Sequence, residues 1–210
     1  MGHEMATGKW YRLQVDIESI APGSSADPME AATKVLDGLY ALRATYPGIR
    51  SDVPGIGSPS LVIGQIHGGE RPDKVPGRVS FTLERRLIPD EDPAQVEADL
   101  TQRMADMASS LDGIVCRIRR LKLSPPMKPG AGTDNLAGVL ERRATAVMRT
   151  IVPVYGVPFG TVTRHYSDVG IPSVLYGAGP ERREDAHPGG PDECLVLDDL
   201  RKATEVLALT

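Results

Sequence analysis

Four histidines (His3, His67, His165 and His187) and two cysteines (Cys116 and Cys194) are the side chains of this 210-residue sequence best suited to hold a metal or attack a carbonyl. No histidine pair has the i, i+4 spacing that stacks two imidazoles on one helical face, and no Cys-x-x-Cys supplements them. The most suggestive cluster is Glu184-Asp-Ala-His-Pro-Gly-Gly-Pro-Asp-Glu193, where a neutral imidazole and carboxylates on one loop could converge on a divalent cation. The same composition also describes a solvated acidic loop. Arg164-His165-Tyr166 opens a helix between two strands, and a guanidinium there could grip a substrate carboxylate bidentately. His67, at a strand end beside Gly68-Gly69, reads as structural or solvent-facing. Gly177-Ala-Gly179 lacks the Lys-Ser/Thr of a phosphate loop and reads as a tight turn. Ser24 and Ser25 have no adjacent base to activate them.

The elements that must carry these residues are set by periodicity. Tyr11, Leu13, Val15 and Ile17 alternate with Arg12, Gln14 and Asp16, a half-buried strand over 10–17. After a breaker at 21–27, Ala32, Val35, Leu36, Leu39 and Tyr40 take helical spacing, which predicts an amphipathic helix ended by Pro47 and Gly48. Two strand-like runs follow at 61–67 and 78–87, separated by a loop with two prolines and a glycine pair. Asp92-Pro-Ala-Gln95 offers an N-cap, a proline at N1 and a capping-box Gln, with Val96, Leu100, Met104 and Met107 as the apolar stripe behind it. A last alternation puts Ile114, Cys116 and Ile118 on one face, so Cys116 is expected to be an inert buried thiol. The order over 9–122 is β-α-β-β-α-β, a ferredoxin-like split βαβ arrangement with two helices on one face of a four-stranded antiparallel sheet. Its open face and exposed edge call for another domain, another chain or solvent.

Residues 124–132 are rich in proline and glycine and suit a crossing between domains. Beyond them, Leu136, Val139, Leu140, Val147 and Met148 pattern as a helix capped by Asp134 or Asn135. Strands are expected at 152–156 and 173–177 and a helix at 198–209. So short a segment resembles the tail of a larger α/β unit.

Composition narrows the partners. With 24 basic against 28 acidic side chains and no basic block, nucleic acid and anionic membranes fit poorly, and 4% aromatics offer few stacking platforms for RNA. No run of eighteen apolar residues predicts a membrane span, and two unpaired cysteines suit a reducing cytoplasm.

Three stretches carry a resemblance. Thr161-Val-Thr-Arg-His-Tyr-Ser-Asp-Val-Gly-Ile-Pro-Ser-Val-Leu-Tyr-Gly-Ala-Gly179 with Ala186-His187, Ile63-Gly-Gln-Ile-His-Gly-Gly69 with Asp73-Lys-Val-Pro76, and Arg85-Arg-Leu-Ile-Pro-Asp-Glu91 together resemble the acetylornithine deacetylase, succinyl-diaminopimelate desuccinylase and aminoacylase family of zinc metallopeptidases. The resemblance spans nearly the whole chain and has the family's motif order. It implies a two-domain hydrolase with two zinc ions, cleaving an N-acyl amino acid or a similar amide next to a carboxylate. It also implies a homodimer, with residues 9–122 as the lid or dimerisation domain and 123–210 as the closing piece, a partial remnant, of the α/β catalytic domain. By the same resemblance His187 matches a metal ligand, Arg164 the arginine that grips the substrate carboxylate, and Asp73 a substrate-binding Asn of the lid loop.

Several family positions differ. The first His-x-Asp motif, the bridging Asp and the Glu-Glu pair precede the lid in the family, and this sequence starts at the lid. Pro22 stands where the lid offers a histidine across the dimer, Asp73 in place of Asn would repel a carboxylate, and Val162 replaces an Asp. Glu193 comes two residues late after His187. The expectation is therefore the C-terminal part of an amidohydrolase, inactive as an isolated chain and exposing apolar surface over 123–210. A non-catalytic dimerisation or binding module derived from the family is the alternative.

Overall fold

The structure, a computed structural model, describes residues 3–7, 9–20, 25–124, 130–157, 162–179 and 183–210. In chain order its elements are β1 (His3–Thr7), β2 (Lys9–Ser19), α1 (Pro28–Thr45), β3 (Ser60–Gly68), β4 (Arg78–Leu87), α2 (Pro93–Ala108), β5 (Ile114–Leu123), α3 (Thr133–Met148), β6 (Val154–Val157), α4 (Thr163–Ser167) and α5 (Leu197–Ala208). They divide into two compact units, one of residues 9–51 and 57–125, the other of 1–8, 52–56 and 126–210.

The first unit is the expected split βαβ sandwich. Its sheet runs β3-β4-β2-β5, antiparallel throughout. Because side chains alternate across a strand, Tyr11, Leu13, Val15 and Ile17 all turn to the core. Ala31, Ala32, Val35 and Leu39 of α1 meet them there, as do Leu100, Met104 and Ala108 of α2. Both helices start where their aspartates allow. The Asp27 carboxylate accepts from the Met29 and Glu30 amides at 2.8 and 3.3 Å, and Asp92 accepts from the Ala94 amide at 2.9 Å. The expected capping box does not close, since the Gln95 side chain instead donates to Asp99 one turn on, at 2.7 Å. Tyr40 also departs from the expected stripe, lying exposed with the Arg43 guanidinium 4.5 Å from its ring centre. Between the helices, Met107 fills the space over Gly38, where a β-carbon would stand 2.0 Å from its sulfur.

The opposite sheet face is a lattice of charge. Arg78 bridges Asp16 at 2.6 Å and Glu18 at 3.5 Å, Arg12 pairs with Glu84, Arg117 with Glu18, and Arg119 donates to Gln14 at 2.7 Å. The arginines are largely exposed and their carboxylate partners only partly so, and pairs open to water on one side add little stability.

The second unit holds β1 and β6 as a two-stranded parallel sheet, with Leu140, Ala144, Val152 and Val206 as its buried apolar cluster. Strand β1 lacks apolar alternation and exists through its pairing to β6, so periodicity does not reveal it. Gly132, at φ 84°, is the N-cap of α3, in place of the expected Asp134 or Asn135, both of which lie inside the helix. Strand β6 begins at Val154 because Pro153 has no amide to give a ladder. The strand expected at 173–177 is absent: Leu175 makes one isolated bridge, in a stretch bounded by Pro172 and Gly177. Gly156 is indispensable to the packing of β6. Its amide donates to the Pro54 carbonyl at 2.6 Å, and a β-carbon there would stand 2.7 Å from Ile56. None of the described helices is long and apolar enough to cross a membrane.

Candidate functional site

His187 follows a single 3-10 turn (Arg183–Ala186) and adopts the left-handed conformation, φ 49°. That strained position, unusual for a non-glycine residue, opens a loop tied by its own backbone. The Gly190 amide donates to the His187 carbonyl at 3.0 Å, and the Cys194 amide to the Ala186 carbonyl at 3.1 Å. The Glu193 carboxylate accepts from the Gly189 amide at 2.9 Å. The Glu193 carboxylate thus turns into the loop, and His187 stands exposed.

A binuclear zinc site needs several deprotonated donors converging within about 2.0–2.3 Å of each ion. Among the described residues no group of three or more His, Cys, Asp or Glu is placed to hold a metal. The described donor set does not fit the zinc pair, and no chemical step is derived through it.

Arg164 lies in α4, a five-residue helix whose entry is fixed by the His165 amide donating to the Val162 carbonyl at 3.1 Å. The segment forms a helix as its sequence leads one to expect. Val162 is 70% exposed at its start. Pro22 falls outside the described residues.

Asp73 sits in the loop between β3 and β4, exposed and clamped by a residue that sequence reading overlooked. Arg71 donates to its two oxygens at 3.0 and 2.6 Å. This guanidinium holds the Asp73 carboxyl below the usual range. The bidentate pair neutralises the carboxylate, so its field on an approaching anion is weaker than the lone residue suggests. An R-x-D spacing in a turn is the signal that could have pointed to it. Arg164 and His187 belong to the second unit and Asp73 to the first.

The cysteines differ in reach. Burial, with a smaller push from Asp16, raises the Cys116 thiol to about 11, and Cys194 is exposed. At pH 8 about one thousandth of Cys116 is thiolate. Iodoacetamide under native conditions is expected to modify Cys194 first, with the partly buried Cys116 reacting much more slowly, as peptide mass mapping would show. The thiol expected to be buried is only partly so, and equal rates would contradict even that partial cover.

Residues 8–111 match the family described as the peptidase dimerisation domain. The chain is 28% identical over 198 residues to an acetylornithine deacetylase of Myxococcus xanthus, covering 90% of this chain and 47% of that protein. Among solved structures, the aminopeptidase PepT of Bacillus cereus superposes with a TM-score of 0.69 at 19% identity, covering 99% of this chain and 52% of that one. The YxeP protein of Bacillus subtilis, a dinuclear metal binding peptidase from the M20 family, gives 0.66 at 16%, covering 99% and 50%. This chain thus spans about half the length of the relatives it matches, and the solved structures share its fold.

Proposed function

From the premise that this chain carries the peptidase dimerisation domain of the M20 family, we propose that it is the dimerising and closing part of a metal-dependent amidohydrolase acting on N-acyl amino acids or similar amides next to a carboxylate. The support is an asymmetry between its units. The first is a complete four-stranded sandwich, whereas the second is a parallel strand pair, and parallel sheets are stable when both faces are covered. Val169, Ile151 and Leu197 of that second unit are 72–80% exposed, which suits a surface that further strands and helices of an α/β layer would bury.

In this reading Arg164 binds the substrate carboxylate, the Arg71–Asp73 pair lines the lid loop, and His187 is the single zinc donor of the described residues. Two homodimeric copies working in the cytoplasm are part of the same proposal. The chain by itself does not hydrolyse. A second reading, a non-catalytic dimerisation or binding module, is favoured by Glu193, whose carboxylate is already engaged by the Gly189 amide.

The purified chain with zinc is expected to release no amino acid from N-acetyl amino acids. Mixing it with the metal-binding N-terminal half of a related deacetylase should give hydrolysis that Arg164→Ala and His187→Ala each lose. Hydrolysis by the chain alone, abolished by His187→Ala, would overturn the first point. No hydrolysis from the mixture would favour the non-catalytic module.

A further inference from the structure

The two faces of the first unit carry opposite charge. Its helices α1 and α2 hold five carboxylates against three cations, in keeping with the net charge of −4 of the whole chain. On the open face of the sheet the balance reverses. The register sets Arg12, Arg78, Arg86, Arg117, Arg119 and Lys122 on the side away from the helices, against Asp16, Glu18 and Glu84. Those three carboxylates are committed, Asp16 and Glu18 to Arg78 and Arg117, and Glu84 to Arg12. Arg119 donates to the neutral Gln14 side chain at 2.7 Å, and neither it nor Lys122 has a carboxylate partner among the described residues. Both are exposed. The same face is also hollowed. In β3, Ile63 opposes Leu83 and Gln65 opposes Thr82, so Gly64 is the extra residue of a bulge, with no atom within 4 Å of where its β-carbon would stand. A depression of about 460 Å³ runs past it across the strands, with Val62 and Leu121, 56% and 44% exposed, among its walls and Arg12 and Thr82 in its lining.

We propose that the open face of the sheet is a docking surface for an acidic, extended polypeptide segment of another protein, with carboxylates on Arg119 and Lys122 and an apolar side chain in the depression over Gly64. Charge complementarity selects the partner: unpaired cations on an otherwise acidic molecule draw an anion to this face and away from the helix layer. The hollow selects its form, since a shallow trough with apolar walls takes one side chain of an extended segment at a time. A single strand of nucleic acid meets the same charge but needs rings to stack on, and Trp10 is the one aromatic residue on this face among the described residues. The proposal goes beyond the hydrolase reading and does not depend on it.

The test is fluorescence anisotropy of the full chain at low salt with a labelled peptide of three Glu-Ser-Glu-Leu repeats. The peptide is expected to bind, and its counterpart with Gln for every Glu is not. Arg119→Gln with Lys122→Gln should raise the dissociation constant about tenfold. Gly64→Leu, which fills the depression and leaves every charge in place, should raise it about fivefold. Arg43→Gln, on the helix layer, should leave it unchanged. The substituted side chains are exposed or face open space, and circular dichroism checks that the fold persists. No binding of the acidic peptide, or an equal loss from Arg43→Gln, would overturn the docking surface. Indifference to Gly64→Leu would overturn the part given to the depression. Labelled oligouridylate binding more tightly than the peptide would overturn the choice of partner and mark the face as one for nucleic acid.

Discussion

Arg85→Ala is expected to lower the unfolding free energy by about 3–5 kcal/mol, the scale for removing one partner of a buried ion pair. The Arg85 side chain is 4% exposed, and its donors are spent on specific acceptors. Its Nε donates to the Tyr46 hydroxyl at 3.0 Å, Nη1 to the Arg86 carbonyl and to Glu91 Oε2 at 3.2 Å, and Nη2 to Glu91 Oε1. The guanidinium also lies 4.4 Å from the Tyr46 ring centre. Burial raises the Tyr46 hydroxyl pKa and Arg85 pulls it back only in part, so the phenol stays neutral and accepts. Glu91 in turn accepts from the Ile88 amide at 3.0 Å, closing the turn that leads from β4 to α2. With Arg85 gone, a largely buried carboxylate would keep that amide bond and lose its counter-charge. Replacing both residues, as Arg85→Met with Glu91→Leu, should cost less than Arg85→Ala alone, because no charge is stranded. Urea unfolding of the three proteins decides it. A loss below about 1 kcal/mol for Arg85→Ala would show that water reaches the pair.

That ion pair also shows what a sequence can and cannot disclose. Arg85 and Glu91 lie in a stretch that carries the family resemblance, yet their observed work is to lock a turn. Spacing shows two opposite charges six residues apart, and only the folded chain shows that the arginine points inward. The first unit is legible because alternation and helical spacing are strong where one face is buried, and because Asp92-Pro93 marks a helix start chemically. The capping box failed because Gln95 had a nearer acceptor in Asp99. In the second unit the signals weaken. Strand β1 is defined by its neighbour, and the run at 173–177 lacks a ladder for its apolar residues. Of the candidate site, the loop around His187 was visible as a cluster of donors, but their directions were not. The Gly189 amide, a backbone group without any sequence signature, takes the carboxylate of Glu193. Arg71 escaped notice for the opposite reason, since a charged residue in a turn is ordinary until its partner is seen.

Phe81→Ala should cost about 3–5 kcal/mol, the range for deleting a buried aromatic ring and leaving its cavity. Phe81 is 1% exposed on β4, between Val15 of β2 and Ile66 of β3 in the ladder. Neighbours on both sides are held by backbone hydrogen bonds, so the sheet cannot close over the space, and poor collapse puts the cost high in that range. Trp10, the sole tryptophan, lies on β2, so its fluorescence follows the unit in which the change is made. The midpoint in urea should fall with little change in slope, as befits lost stability without a new intermediate. Val62→Ala, on the edge strand and already half exposed, should change the unfolding free energy by less than about 0.5 kcal/mol. The contrast separates two positions on one sheet: the centre of β4 holds the first unit together, and the exposed side of β3 adds little to its stability. If Phe81→Ala and Val62→Ala cost the same, the core lies elsewhere than between the helices and the inner face of the sheet.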